Sequence, residues 1–242
     1  MKRDPLQDIL SAFGLLTRLP LPPYTPVGAG AAWAWPLVGV VVATLAALAG
    51  WAAHGLGPGI AAGVVLAVQA LLTGAMHEDG LADTADGLWG GWTKQRRLEI
   101  MRDSHIGSYG VLALLLVTLM RWSALTALIA GEHWGAVIAA GALSRAPMAV
   151  LMALMPNARD DGLSQAVGRP AFGTALAASV LALGLAMLAV GPVATLAAAL
   201  LAALSCAALA LLAKARIGGQ TGDILGASQQ LAEVAVLAAL AA

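Results

Sequence analysis

Asp79, Asp83 and Asp86 follow one another at i, i+4 and i+7. On a helix that spacing stacks all three carboxylates on one face. They belong to the most polar stretch of the chain, residues 74–109, GAMHEDGLADTADGLWGGWTKQRRLEIMRDSHIGSY, which also holds Glu78, Glu99 and Asp103. Like charges on one stripe repel, and burial strengthens the repulsion. No Lys or Arg lies between Gly74 and Trp92 to relieve it. A divalent cation would, and all-oxygen ligation suits Mg2+, with Mn2+ as the alternative, better than zinc. The expected metal ligands are Asp79, Asp83 and Asp86, with Glu78 beside them. Gly80, Gly87, Gly90 and Gly91 leave room for a bulky ligand to approach the backbone. The opposing reading is a solvated acidic loop without function.

Other polar groups could share this chemistry. Lys94, Arg96 and Arg97 suit headgroup contact and membrane anchoring. Arg102, next to Asp103 and followed by Ser104-His105, is a candidate for bidentate phosphate binding. The turn Gly218-Gly219-Gln220-Thr221-Gly222-Asp223 permits a backbone nest for an anion at a helix start. Gly219 and Gln220 are its candidate ligand contacts, and Asp223 is either a helix cap or a base. Arg121, Arg145 and Glu233 fall inside apolar runs, where an unpaired charge is costly. Arg145 is therefore either a structural partner of Glu233 or a phosphate contact facing a cavity. His77 and His105 flank the acidic stretch and more simply hydrogen-bond locally. Cys206 is the single cysteine, which excludes an intrachain disulfide.

These groups must be positioned by apolar elements. The 242 residues are 60% apolar and only 11% charged, far below the roughly 25% charged of soluble domains. The composition predicts an all-α, polytopic membrane helix bundle forming one integral membrane domain over residues 1–242. Spans are expected near 31–53, 59–76, 108–130, 135–155, 172–190, 193–213 and 224–242, since a crossing needs about 20 apolar residues. Leu6, Ile9, Leu10, Phe13 and Leu16 give residues 1–19 the pattern of an amphipathic surface helix. Pro20, Pro22, Pro23 and Pro26 follow as an extended linker, so residues 1–26 form an N-terminal appendage. With the N-terminus cytoplasmic, Lys2, Arg3, Arg18, Lys94, Arg96, Arg97, Arg102, Arg159, Arg169, Lys214 and Arg216 all fall on one side. That asymmetry predicts cytoplasmic loops at 77–107, 156–171 and 214–223, and a site opening to the cytoplasm. Nucleic acid is not an expected partner without a basic face.

Asp83-x-x-Asp86-Gly87 resembles the first half of the CDP-alcohol phosphotransferase signature, in which two Asp bind divalent metal. The Ala-Arg that continues that signature is missing here. Glu99-x-x-x-Asp103 stands at a comparable distance to its second half, but the Gly-x3-Asp-x3-Asp element is absent. A broader resemblance is to the cobalamin synthase family. It rests on Phe13 to Pro20 (FGLLTRLP), Trp35 to Gly39 (WPLVG), His77 to Gly87 (HEDGLADTADG), Arg97 to Gly107 (RLEIMRDSHIG) and Gly218 to Asp223 (GGQTGD), in order over nearly the whole chain. The resemblance implies a Mg2+-requiring enzyme of the bacterial inner membrane. It would join adenosylcobinamide-GDP to α-ribazole or α-ribazole 5′-phosphate and release GMP.

On that footing, Asp79, Asp83 and Asp86 would hold Mg2+ on the pyrophosphate, with Asp103 a further candidate ligand. Asp103 or Asp223 would serve as general base, while Arg102, Gly219, Gln220 and Arg145 would steady phosphate oxygens. The expected partners are the two small-molecule substrates and membrane lipid, with a homo-oligomer left open. The competing functions are a CDP-alcohol phosphotransferase of phospholipid synthesis and a cation transporter.

Overall fold

A computed structural model describes residues 4–242. Lys2 and Arg3, counted above toward orientation, lie outside the described residues. Among the described residues there are eleven α-helices: α1 (Pro5–Leu16), α2 (Trp35–Ala52), α3 (Pro58–Thr73), α4 (Met76–Gly90), α5 (Lys94–Ile100), α6 (Ser108–Ala130), α7 (Trp134–Leu154), α8 (Leu163–Val167), α9 (Phe172–Val190), α10 (Pro192–Ile217) and α11 (Gly222–Ala241). Two 3-10 turns, Gly28–Ala34 and His54–Leu56, flank α2.

Six helices are long and apolar enough to cross a membrane: α2 with its 3-10 lead-in, α6, α7, α9, α10 and α11. The expected seventh crossing is broken. α3 and α4 meet at 89°, and the bend falls on Gly74 and Ala75, which adopt φ of 66° and 55°. Left-handed backbone in both positions ends one helix and starts the next in a new direction. α4 cannot continue as an apolar span because it carries the acidic stripe. Glu78 and Asp79 instead fall in its first turn, where negative charge complements the helix dipole.

α7 is the most enclosed element and packs on α2, α9 and α11. Its approach to α2 depends on two glycines. A Cβ on Gly39 would stand 2.0 Å from the Gly141 carbonyl oxygen, and a Cβ on Gly141 would stand 2.5 Å from that of Gly39. Small residues at such a crossing let backbones touch, which is how helices gain contact within lipid. Gly39 closes the WPLVG motif, so part of that motif serves packing.

α1 docks on the bundle by a face that includes Asp8 and Ser11 as well as Ala12 and Leu16. Asp4 caps its first turn by accepting the Leu6 N–H at 3.0 Å. Asp8 accepts from Trp33 Nε1 at 2.8 Å, and Ser11 Oγ accepts the Val27 N–H at 2.9 Å. These bonds tie the proline-rich linker back over the helix.

Candidate active site

The acidic stripe does not act as one unit. On a helix, neighbouring residues point about 100° apart, and α4 sends its carboxylates to three destinations. Glu78 turns toward the protein interior. Its Oε1 lies 3.4 Å from Arg121 Nη1 and accepts from Gln230 Nε2 at 3.0 Å. Asp86 faces the start of α6, where Oδ2 accepts the Gly107 N–H at 2.7 Å and Oδ1 accepts the Gly110 N–H at 2.9 Å. A carboxylate on the first N–H groups of a helix satisfies orphan donors and meets the positive end of the dipole. Both oxygens of Asp86 are thus engaged in holding α6. Asp79 and Asp83 remain, and they accept no side-chain hydrogen bond from the described residues. Asp83 is near enough to Asp79 and Asp223 for their charges to interact, with Arg159 also in range.

Asp79 and Asp223 line a half-open cavity of 210 Å3 between α1, α2, α4, α7, α8 and α11. Gly80 and Gly226 bring α4 and α11 together there. A Cβ on Gly80 would stand 2.9 Å from the Asp223 carbonyl oxygen and 3.2 Å from Gly226 Cα. This contact sets the acidic helix against the start of α11. Most of the cavity wall is apolar; His77, Asp79, Arg159, Ser164 and Asp223 are its polar members.

Arg159 was not legible as a site residue. Its Nη2 lies 3.4 Å from Asp223 Oδ2, and its Nε lies 3.6 Å from Asp161 Oδ1. Arg102 Nη2 reaches the same Asp161 oxygen at 2.5 Å. A chain of charges therefore runs Arg102–Asp161–Arg159–Asp223, ending at the cavity. Arg102 forms its exposed outer end and is not among the lining residues.

The Gly218 to Asp223 turn earns its glycines differently from the expected anion nest. Gly218, at φ of 80°, closes α10. Gly219 lies against the strap after α7, where a Cβ would stand 2.2 Å from the Pro156 carbonyl oxygen. Gln220 is buried and bound to that strap. Its N–H donates to the Pro156 carbonyl at 2.9 Å, its carbonyl accepts from Ala158 N–H at 2.8 Å, and Oε1 accepts from Ser164 Oγ at 2.8 Å. Nε2 of Gln220 donates to Asn157 Oδ1. The turn thereby stitches the Arg159 loop to the head of α11. Thr221 caps α11 through Ile224 N–H and donates from Oγ1 to Asp223 Oδ2 at 3.1 Å.

Asp103 lies outside this assembly. It is exposed and accepts from His105 Nδ1 at 2.6 Å and His105 N–H at 3.2 Å. The His105 side-chain bond holds its carboxyl below the ordinary range and raises the imidazole, which makes Asp103 a poorer base.

Arg145 is in the interior and has its neighbours there. Its Nη1 lies 3.4 Å from Glu233 Oε2 and donates to Ser144 Oγ at 2.9 Å. The nearer partner of Glu233 is Arg121, at 2.9 Å through Nη2. Arg121 also donates to Gln69 Oε1 at 2.8 Å and Gln230 Oε1 at 2.7 Å. Two arginines and two glutamates neutralise each other there, with Gln69 and Gln230 accepting from Arg121 and Gln229 and Gln230 donating to Glu233 and Glu78.

Among the described residues, no three His, Cys, Asp or Glu side chains come close enough to cage a metal ion by themselves. The available donors, Asp79, Asp83 and Asp223, are hard oxygens. Mg2+ characteristically uses one or two carboxylates, keeps several waters and takes its other ligands from substrate phosphates. The donor set fits an ion bound in that way and does not fit a closed protein cage.

A family model described as cobalamin-5-phosphate synthase matches residues 8–241. The chain belongs to that family. Curated relatives of the cobalamin-5-phosphate synthase family match throughout. An adenosylcobinamide-GDP ribazoletransferase of Bradyrhizobium diazoefficiens is 44% identical over 99% of this chain and 95% of its own. One from Mesorhizobium japonicum is 42% identical over 97% and 93%, and one from Azorhizobium caulinodans 43% identical over 96% and 94%. No solved structure matches the chain.

Proposed function

We propose that this chain is an adenosylcobinamide-GDP ribazoletransferase, an integral membrane enzyme at the end of cobalamin assembly. It moves the adenosylcobinamide-phosphate group of adenosylcobinamide-GDP to α-ribazole or α-ribazole 5′-phosphate, and GMP leaves. The observation that carries this is the end-to-end match to relatives of that name, at 44% identity over 99% of the chain. The match does not favour a CDP-alcohol phosphotransferase or a cation transporter.

The geometry supports a division of labour among the chain's own residues. Asp79 and Asp83 would hold Mg2+, which when bound neutralises charge on the pyrophosphate oxygens. Arg159 offers a guanidinium edge to the same oxygens. Asp223 takes the proton from the attacking ribazole hydroxyl. That oxygen bonds to the phosphorus carrying cobinamide as the bond from this phosphorus to the bridging oxygen breaks, and the bridging oxygen departs on GMP. Asp223 is preferred to Asp103 as base because it lines the cavity, whereas Asp103 is exposed and occupied by His105. Asp86, Glu78, Gln220 and Arg145 act through the scaffold.

The one-sided distribution of Lys and Arg supports an inner-membrane protein with the cavity opening to the cytoplasm. The loop bearing Arg159 and the last turn of α10, with Lys214 and Arg216, lie on that side in the same reading. Purified protein in detergent, given both substrates and Mg2+, should release GMP in step with cobalamin or its 5′-phosphate. Turnover of CDP-diacylglycerol in place of adenosylcobinamide-GDP would reject the assignment.

A further inference from the structure

The cavity has an apolar body as well as a polar end. Trp35, Met148 and Met152, with Leu15 and Leu16, wall its interior, and Leu163 stands at its edge. Three of the lining residues carry buried polar atoms without any hydrogen-bond partner: Trp35 Nε1, His77 Nδ1 and Nε2, and Arg159 Nη1. Trp35 and His77 are 3% and 2% exposed. An orphaned buried donor is costly, and native interiors leave few of them. Several around one cavity point to a ligand that supplies their partners.

Size and lining restrict that ligand. An apolar cavity of roughly 150 Å3 admits benzene, and 210 Å3 leaves room for a second fused ring. A corrin macrocycle is far too large for it, and a nucleotide diphosphate is too charged for a wall of methionine, leucine and tryptophan. We propose that this cavity is the subsite for the bicyclic aromatic base of the acceptor, with Trp35, Met148 and Met152 packing its rings and His77 hydrogen-bonding its polar edge. The inference rests on the ribazoletransferase reading and adds to it where the acceptor sits. With the base held here, the ribose extends toward Asp223 and Arg159 at the polar end. His77 is then a positioning residue for the acceptor.

The test is calorimetric titration of detergent-purified wild type, Met152→Trp and Leu163→Trp with α-ribazole and, separately, with adenosylcobinamide-GDP. A tryptophan at Met152 fills the cavity, and one at Leu163 adds bulk at its edge. Leu163 is 52% exposed, so its variant keeps the fold even if the core variant does not. The expected result is α-ribazole affinity weakened by at least about tenfold in each folded variant, with adenosylcobinamide-GDP affinity changed by less than about threefold. Unchanged α-ribazole affinity in Leu163→Trp, equal weakening of both substrates, or no α-ribazole binding to wild type overturns the subsite. GMP release by wild type is measured alongside. Its absence would reject the transferase reading, while the effect of the tryptophans on α-ribazole affinity would still decide the subsite.

Discussion

Arg159 Nη2 stands 3.4 Å from Asp223 Oδ2, joining the strap after α7 to the first turn of α11 at the edge of the cavity. The contact exists because Gly219 lets the strap approach and Gln220 bonds it from both sides. If Arg159 steadies phosphate oxygens, removing it costs rate more than fold. Arg159→Ala should lower GMP release by about a hundredfold or more, with Arg159→Lys recovering a part because the charge remains but the fork does not. Equal activity of Arg159→Ala and wild type in a single-turnover assay would remove it from the site.

Asp86 holds the start of α6 through the N–H groups of Gly107 and Gly110. Replacing it by Ala leaves both donors without an acceptor, at a cost of about 1–3 kcal/mol. Asp86→Ala should lower the melting temperature in detergent equally with and without Mg2+. A loss of stability seen only when Mg2+ is present would instead make Asp86 a metal ligand.

Glu233 faces two arginines, so a single charge swap cannot balance it. Glu233→Gln should destabilise the bundle by about 3–5 kcal/mol, because Glu78 alone is then left to balance Arg121 and Arg145 in the interior. The pair Arg145→Glu with Glu233→Arg should not restore wild-type stability, since Arg121, the closer partner at 2.9 Å, would then face an arginine. Full recovery in a thermal unfolding series would contradict the three-way arrangement.

The α2–α7 crossing tolerates no side chain at Gly39 or Gly141. A Cβ at Gly39 meets a carbonyl oxygen at 2.0 Å, and backbone cannot yield as a side-chain tip would. Gly39→Leu should leave little folded protein in membranes, read by detergent-solubilised yield and size-exclusion profile, whereas Gly63→Leu, with open space around it, should behave as wild type.

Most of the bundle was legible because apolar length is the signal a bilayer imposes, and each break carried Gly, Pro or charge. The break between α3 and α4 was not. Gly74 could announce a left-handed residue, but Ala75 gives no such sign, and the second left-handed position sets the new direction. The acidic stripe was legible as a helix face, yet spacing alone does not say what each side chain meets. Glu78 and Asp79 adjoin in sequence and therefore point to different places, one to Arg121 and one to the cavity. Arg159 was hidden for a different reason. Its loop has no motif, and the pairing of Asn157 with Gln220 that positions it joins segments far apart in the chain. The glycine turn stood out by composition, and its backbone serves that pairing and the end of α10.

The account centres on Asp83, a half-buried carboxylate with no partner of its own beside Asp79 and Asp223. The most direct measurement is GMP release by purified protein against Mg2+ concentration, for wild type and for Asp83→Asn with its melting temperature verified. Wild type should require Mg2+, lose activity on chelation and regain it on Mg2+ return, while Asp83→Asn should lose about two orders of magnitude or more at saturating Mg2+ without loss of fold. Near wild-type release by Asp83→Asn, or wild-type turnover that persists after chelation, would contradict it.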